Sequence, residues 1–321
     1  MVRSVTAQLE GQPDPPRSAG GSPSTSVWRG LVRVARPKQW LKNVLVFAAP
    51  GAAGVLLHRH QGLVALGAFG IFCLAASGTY FINDTLDAAA DRLHPVKRHR
   101  AVASGVVPPG LAVGVGAGLV ALAVGLAWLL AGTQLTVVVA VYAAIVTAYS
   151  LRLKHVPIVD LACVSSGFIL RAIAGGVATQ VPLTNWFIIV ASFGSLLVVT
   201  GKRSAEHSSL GEDRAEHRKT LGAYPPSFLR SIRLIAAAVL ITAYCQWALG
   251  ITDRVSGALG RGHHPIWFEL SIIPFVLAVL HLELRFETGH GAAPEDLATG
   301  DRTLQVLGLL WVALFAAGIY L

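Results

Sequence analysis

Charge is what this chain has least of. Only 13% of its 321 residues are Asp, Glu, Lys or Arg, against about 25% in an ordinary soluble domain. Set beside 54% hydrophobic residues, that deficit excludes a water-soluble globular fold and points to helices buried in a bilayer. Acids are scarcer than bases, 17 against 26. The bases sit in loops beside apolar runs, a pattern that fits a membrane surface and anionic substrates and speaks against nucleic acid. Cysteine is nearly absent: Cys73, Cys163 and Cys245 each fall inside an apolar run without paired spacing. They read as small buried hydrophobes, so neither a disulfide framework nor a thiolate metal site is expected. Residues 1–26 lack an apolar core and are rich in Ser, Pro, Gly and Gln, which predicts a disordered N-terminal tail with no secretory signal.

Long apolar runs fill the rest. They fall at about residues 41–57, 63–82, 107–131, 134–150, 156–178, 183–201, 228–250, 266–284 and 303–321. Residues 27–321 therefore read as a single polytopic membrane domain, an all-α integral membrane protein with a bundle of about nine transmembrane helices. The links Gly132-Thr133 and Thr179 to Pro182 are short enough to make tight helical hairpins. With the N-terminus inside, one set of loops collects Arg92, Lys97, Arg98, Arg100, Arg152, Lys154, Lys202, Arg203, Arg214, Arg218, Lys219 and Arg302, beside a basic approach that includes Lys38 and Lys42. The opposite loops hold only Arg59, Arg254 and Arg261. The positive-inside rule then puts the N-terminus in the cytoplasm and, with nine spans, the C-terminus outside.

The polar stretch that stands out runs from Asn83 to Arg100. Asp84, Asp87 and Asp91 are three and four apart, which on a helix places them on one face. Carboxylates stacked this way repel one another unless a cation lies between them, and hard oxygen ligands suit Mg²⁺ bridging to phosphates. Pro95 ends the helix, after which Lys97 and Arg100 offer partners for phosphate oxygens. The alternative is a solvated charged loop.

Further polar residues gather on the same side. In Tyr149 to Asp160, Pro157 opens a helix and sets Asp160 in its first turns. Lys154 reads either as an interface anchor or as a phosphate ligand, and Asp160 either as a helix-start acid or as a ligand for a second metal or a ribose hydroxyl. Arg171 lies about 16 Å further along that helix. So deep a charge faces the bundle interior, as a site residue or as the partner of an acid. Lys202, Arg203 and Glu206 continue directly from a span and suggest a cap over the cytoplasmic mouth, while residues 208–219, with Arg214, His217, Arg218 and Lys219, read either as its extension or as a solvated loop. His58, His60, His263 and His264 read as surface residues. Trp28, Trp40, Trp186, Trp267 and Trp311 are placed near span ends, as an aromatic belt would have them.

The motif Asn83-Asp84-x-x-Asp87-x-x-x-Asp91 following the second span, with Tyr149…Lys154…Asp160 later, resembles the UbiA-type membrane prenyltransferase superfamily. The resemblance covers nearly the whole chain from about residue 30. It implies a nine-helix bundle around a central cavity open to the cytoplasmic side. The second motif departs from the pattern, holding Asp160 where enzymes that ionise a prenyl diphosphate carry several aspartates. Arg36-Pro37-Lys38-Gln39-Trp40-Leu41-Lys42-Asn43, His94 to Arg100, and Gly201 to Glu206 are similar to the phosphoribosyl-transferring branch of that superfamily. In that branch phosphoribosyl pyrophosphate is the donor and a polyprenyl (decaprenyl) phosphate lipid the acceptor, in cell-wall arabinan synthesis at the plasma membrane.

The resemblance implies Mg²⁺ on Asp84, Asp87 and Asp91 with Asn83 completing the coordination. Lys97, Arg100, Lys154, Lys42 and Lys38 would neutralise phosphate, with Tyr149, Arg171, Lys202 and Arg203 also in the substrate site, and Asp160 or Glu206 would hold ribose hydroxyls or a second metal. Homo-oligomerisation is compatible with the glycine-rich third span. The competing expectations are an aromatic prenyltransferase using a prenyl diphosphate, and a transporter or lipid carrier.

Overall fold

In a computed structural model the described residues are 23–209, 222–258, 265–288 and 300–321, and all their regular structure is helical. The expected tail falls largely outside this set, as do Arg214, His217, Arg218, Lys219, Arg261, His263 and His264. Helix α1 spans Pro23–Ala35, so helix begins slightly ahead of the boundary read from sequence. A 3-10 helix follows over Pro37–Phe47 and passes into the short α2, Ala48–Ala52. Then come α3 (Arg59–Leu86), α4 (Ala88–Leu93), α5 (Pro109–Leu151), α6 (Val159–Ala178) and α7 (Asn185–Ser209). The chain ends with α8 (Pro226–Ala258), α9 (Pro265–Glu287) and α10 (Arg302–Tyr320).

Seven of these helices are long and apolar enough to cross a membrane. One of them, α5, is really two. Its 43 residues would extend about 65 Å as a straight helix, twice the apolar core of a bilayer. Ala131 and Gly132 leave helical geometry, and Gly132 takes φ 68°, a conformation open to glycine. The chain folds back there. Leu130 meets α3 at Gly67 and Gly116 meets it at Gly78, yet the Tyr142 ring packs tilted against Phe72, between those two levels. The 107–131/134–150 hairpin read from the sequence is thus present, and the other hairpin turns between α6 and α7.

The described residues contain eight apolar helical passes, not nine continuous ones. The run at 41–57 is the exception, being 3-10 helix, a five-residue α2 and a turn. Side chains explain the departure, since this segment is tied to its neighbours instead of standing free. The Trp40 indole donates to Ser77 Oγ (3.1 Å), and Ser77 in turn donates to the Ala35 carbonyl (3.0 Å). Asn43 donates to Cys73 Sγ. On the other side Gly175 of α6 lies so close to the Val46 carbonyl that a Cβ would stand 1.7 Å from it. Trp40 and Trp311 therefore serve packing, Trp311 donating to the Tyr244 hydroxyl at 2.7 Å from mid-helix. The three cysteines are free.

Candidate active site

The acidic stretch straddles a helix end. α3 stops at Leu86, and the Asp87 N–H bonds the Asn83 carbonyl as the chain tightens into α4. Across that junction the three acids differ in burial. Asp84 and Asp91 turn inward and are buried. Asp87 stays partly exposed. α4 ends at His94, extended as the residue before Pro95 must be, and the chain returns through a 3-10 turn over Lys97–His99. That return delivers Arg100, whose Nη1 lies 2.8 Å from Asp91 Oδ2 and 3.4 Å from Asp84 Oδ1. Asp84 also receives Arg36 Nη2, and Asp87 receives Lys154 Nζ. Lys97 instead uses its backbone N–H on His94 Nδ1.

Sequence reasoning had Arg36 at the head of the Arg36 to Asn43 stretch but did not name it as a site residue. It sits in the left-handed region at φ 51° just ahead of Pro37, with its guanidinium 4.8 Å from the Tyr80 ring. Besides that stretch, a local signal is the proline, which disfavours right-handed helix at the residue before it.

A cavity of about 400 Å³ opens among the 3-10 segment, the end of α5, α6 and α7. Lys38, Lys42, Lys202 and Arg203 line it with the single acid Glu206, beside Tyr149 and an apolar wall of Leu41, Val164, Phe168, Val198 and Val199. Four cations around a space with one carboxylate make an anion receptor, and the apolar wall fits a ligand with a greasy side.

Asp160 does not reach that space. It has 0% exposure and accepts a hydrogen bond from the Tyr224 hydroxyl, while Arg203 Nε stands 3.4 Å from its other oxygen. The Tyr224 hydroxyl also accepts the Ile158 N–H at 2.6 Å. Burial, and after it the bond to Asp160, pushes the Tyr224 phenol up to about 12, so it stays a neutral donor. Arg203 Nη1 donates to Glu206 at 2.8 Å.

Arg171 also lies away from the cavity, in the core of α3, α5 and α6. Its donors go to Asn43 Oδ1 (2.7 Å), the Gly167 carbonyl (2.6 Å) and the Tyr142 hydroxyl (2.9 Å), and its guanidinium lies over the Tyr142 ring. It has found neutral acceptors where sequence reasoning expected a ligand or an acid. Sequence reasoning also missed a cluster at the same end of the bundle. Arg233 of α8 donates to Glu283 (3.0 Å) and Glu287 of α9 and to Ser204 of α7 (2.7 Å). Asp301 caps α10 and meets Arg285 and His281.

No three acid, histidine or cysteine side chains among the described residues converge as a metal-holding group. The donor chemistry nevertheless suits a hard cation. Asp84 and Asp91 supply oxygen ligands only, both buried and both drawn to one positive nitrogen.

A helical membrane bundle with buried acids, rim cations and a basic cavity at one end defines a membrane-embedded protein that handles anions. The chain belongs to the UbiA prenyltransferase family, whose sequence model matches residues 44–298. It is 40% identical over 302 residues to the decaprenyl-phosphate phosphoribosyltransferase of Corynebacterium glutamicum, covering 93% of this chain and 89% of that protein. The Mycolicibacterium smegmatis protein of the same name is 41% identical over 304 residues, 93% of this chain and 95% of that one. Among solved structures, a UbiA homolog from Archaeoglobus fulgidus bound to GPP and Mg²⁺ matches with a TM-score of 0.67 at 16% identity, over 90% of this chain and 98% of that one. The shared fold is that of a multi-pass helical membrane protein.

Proposed function

We propose that the protein transfers the 5-phosphoribosyl group of phosphoribosyl pyrophosphate to polyprenyl phosphate, decaprenyl phosphate by likeness to its relatives, and releases pyrophosphate. The observation that carries this reading is the basic cavity with an apolar wall, lined by Lys38, Lys42, Lys202 and Arg203. The names of relatives 40% and 41% identical over 93% of the chain support it. The product would serve cell-wall arabinan synthesis. The site would face the cytoplasm of the plasma membrane, with the N-terminus inside and the C-terminus outside, as the loop charges favour. The 3-10 segment with α2 would then be the ninth, irregular pass.

Asp84, Asp87, Asp91 and Asn83 would hold Mg²⁺, which when bound supplies positive charge at the diphosphate. The chain's own groups do the remainder. Arg36, Lys97, Arg100 and Lys154 hold diphosphate oxygens, while the cavity cations hold the other phosphate. Tyr149 and Glu206 accept or donate at the ribose hydroxyls. A phosphate oxygen of the lipid attacks C1 as the C1–O bond breaks and its electron pair leaves on pyrophosphate, so the anomeric centre inverts. The acceptor is already anionic, so no general base is needed. Cations aimed where charge grows on the leaving group stabilise the transition state.

The test is a donor assay on the purified chain with Mg²⁺, comparing labelled phosphoribosyl pyrophosphate plus polyprenyl phosphate with a prenyl diphosphate plus an aromatic acceptor. A ribose-phosphate lipid, lost with EDTA, is the expected product. Prenylated aromatic product would return the chain to the wider family, and turnover of neither pair would favour a carrier.

A further inference from the structure

We propose that Tyr224 is a positioning residue for the cavity: by holding Asp160 it keeps the Arg203 guanidinium directed at a phosphate-bearing ligand. This rests on the reading of the cavity as a phosphate site. Tyr224 lies in the segment leading into α8, and its ring stacks on Phe228. Its hydroxyl is used twice, accepting from Ile158 and donating to Asp160. Ile158 takes φ 68°, a conformation a β-branched residue keeps only where its surroundings hold it. The tyrosine thus fastens a strained turn and the carboxylate behind it in one contact.

The geometry around Asp160 gives that contact a task. The carboxylate is fully buried, so it cannot act on a ligand directly. Its second oxygen and Arg203 Nε are 3.4 Å apart, and neither atom makes a hydrogen bond. A buried carboxylate beside a guanidinium closes on it unless held. With its other oxygen bound to Tyr224, Asp160 stands off, close enough to orient Arg203 and too far to claim it. The guanidinium is then left to Glu206 and the cavity. Without the hydroxyl, Asp160 would draw Arg203 back and the cavity would lose a cation.

The experiment titrates inorganic phosphate into the detergent-purified full chain by calorimetry. Tyr224→Phe is expected to weaken binding about tenfold. In turnover it should raise KM for phosphoribosyl pyrophosphate and leave kcat in place. In an Arg203→Ala background the same substitution should weaken binding no further, because the tyrosine acts through that arginine. Wild-type affinity in Tyr224→Phe, or losses that multiply in the double variant, would overturn the proposal. If Tyr224→Phe does not yield folded protein, Asp160→Asn carries the same expectation against Arg203→Ala. A wild-type chain that binds no inorganic phosphate would overturn the cavity reading itself, which separates that failure from a fault in the tyrosine's role alone.

Discussion

Two ion clusters sit at the same end of this bundle and are built inside out relative to one another. In the acid cluster the carboxylates are inside and the cations at the rim: Asp84 and Asp91 side chains are 4% and 6% exposed, Arg36 and Arg100 27% and 29%. In the C-terminal cluster the cation is inside, Arg233 at 1%, with Glu283 at 13% and Glu287 at 39% around it. A rim cation that swings away leaves buried carboxylates that must recruit another positive charge. A rim carboxylate that swings away leaves a buried arginine with nothing to exchange for it. The first arrangement suits a site that trades partners, and the second a clamp that stays shut.

The largest effect should come from breaking the clamp. Arg233→Met strands Glu283 and Ser204 and leaves Glu287 to the exposed Arg230, and removing one partner of a buried ion pair costs about 3–5 kcal/mol. The thermal unfolding midpoint should fall accordingly, and an unchanged midpoint would erase the contrast. Asp84→Asn should do the reverse, cutting turnover about 100- to 1,000-fold, the scale of losing one preorganised charge-stabilising group, while the midpoint stays near wild type because its partners are already at the rim. A matching collapse of stability would make the acid cluster a second clamp.

The smallest effect sharpens the edge of the C-terminal region. Asp301, at the mouth of α10, is held below the usual carboxylate range chiefly by the Leu304 N–H, with His281 and Arg285 contributing. The native state favours its charged form, so its stabilisation is present above about pH 4, the ordinary carboxylate pKa, and is lost as pH falls through the lowered value. Asn also caps helices well. Asp301→Asn should therefore keep the cap and reduce the acid sensitivity of the midpoint below about pH 4.

These clusters also show what was legible in the sequence. The apolar runs disclosed the helices, and Gly132 disclosed a turn, because both signals are local. The acids at 84, 87 and 91 were legible as a cation-seeking group, and Lys38, Lys42, Tyr149, Lys202, Arg203 and Glu206 do meet around one cavity. The greater exposure of Asp87 was hidden because it depends on where α3 ends. The enclosure of Asp160 was hidden because its partner Tyr224 stands 64 positions away, and Arg233 lies 50 or more from its glutamates. The run at 41–57 read as a span because hydropathy cannot see the Trp40 and Asn43 bonds that hold it irregular.

The fold-back at Gly132 has a consequence for how the protein is made. From Pro109 to Leu151 there is no Asp, Glu, Lys, Arg or His, and the turn itself is sealed by Thr136 donating to the Gly132 carbonyl at 2.9 Å. A nascent chain therefore has no ionised group to drag through lipid here, and the two arms can enter the bilayer together as a prefolded pair. A single lysine at position 133 would force that step to move a charge across the apolar layer, turning a concerted insertion into a hindered one.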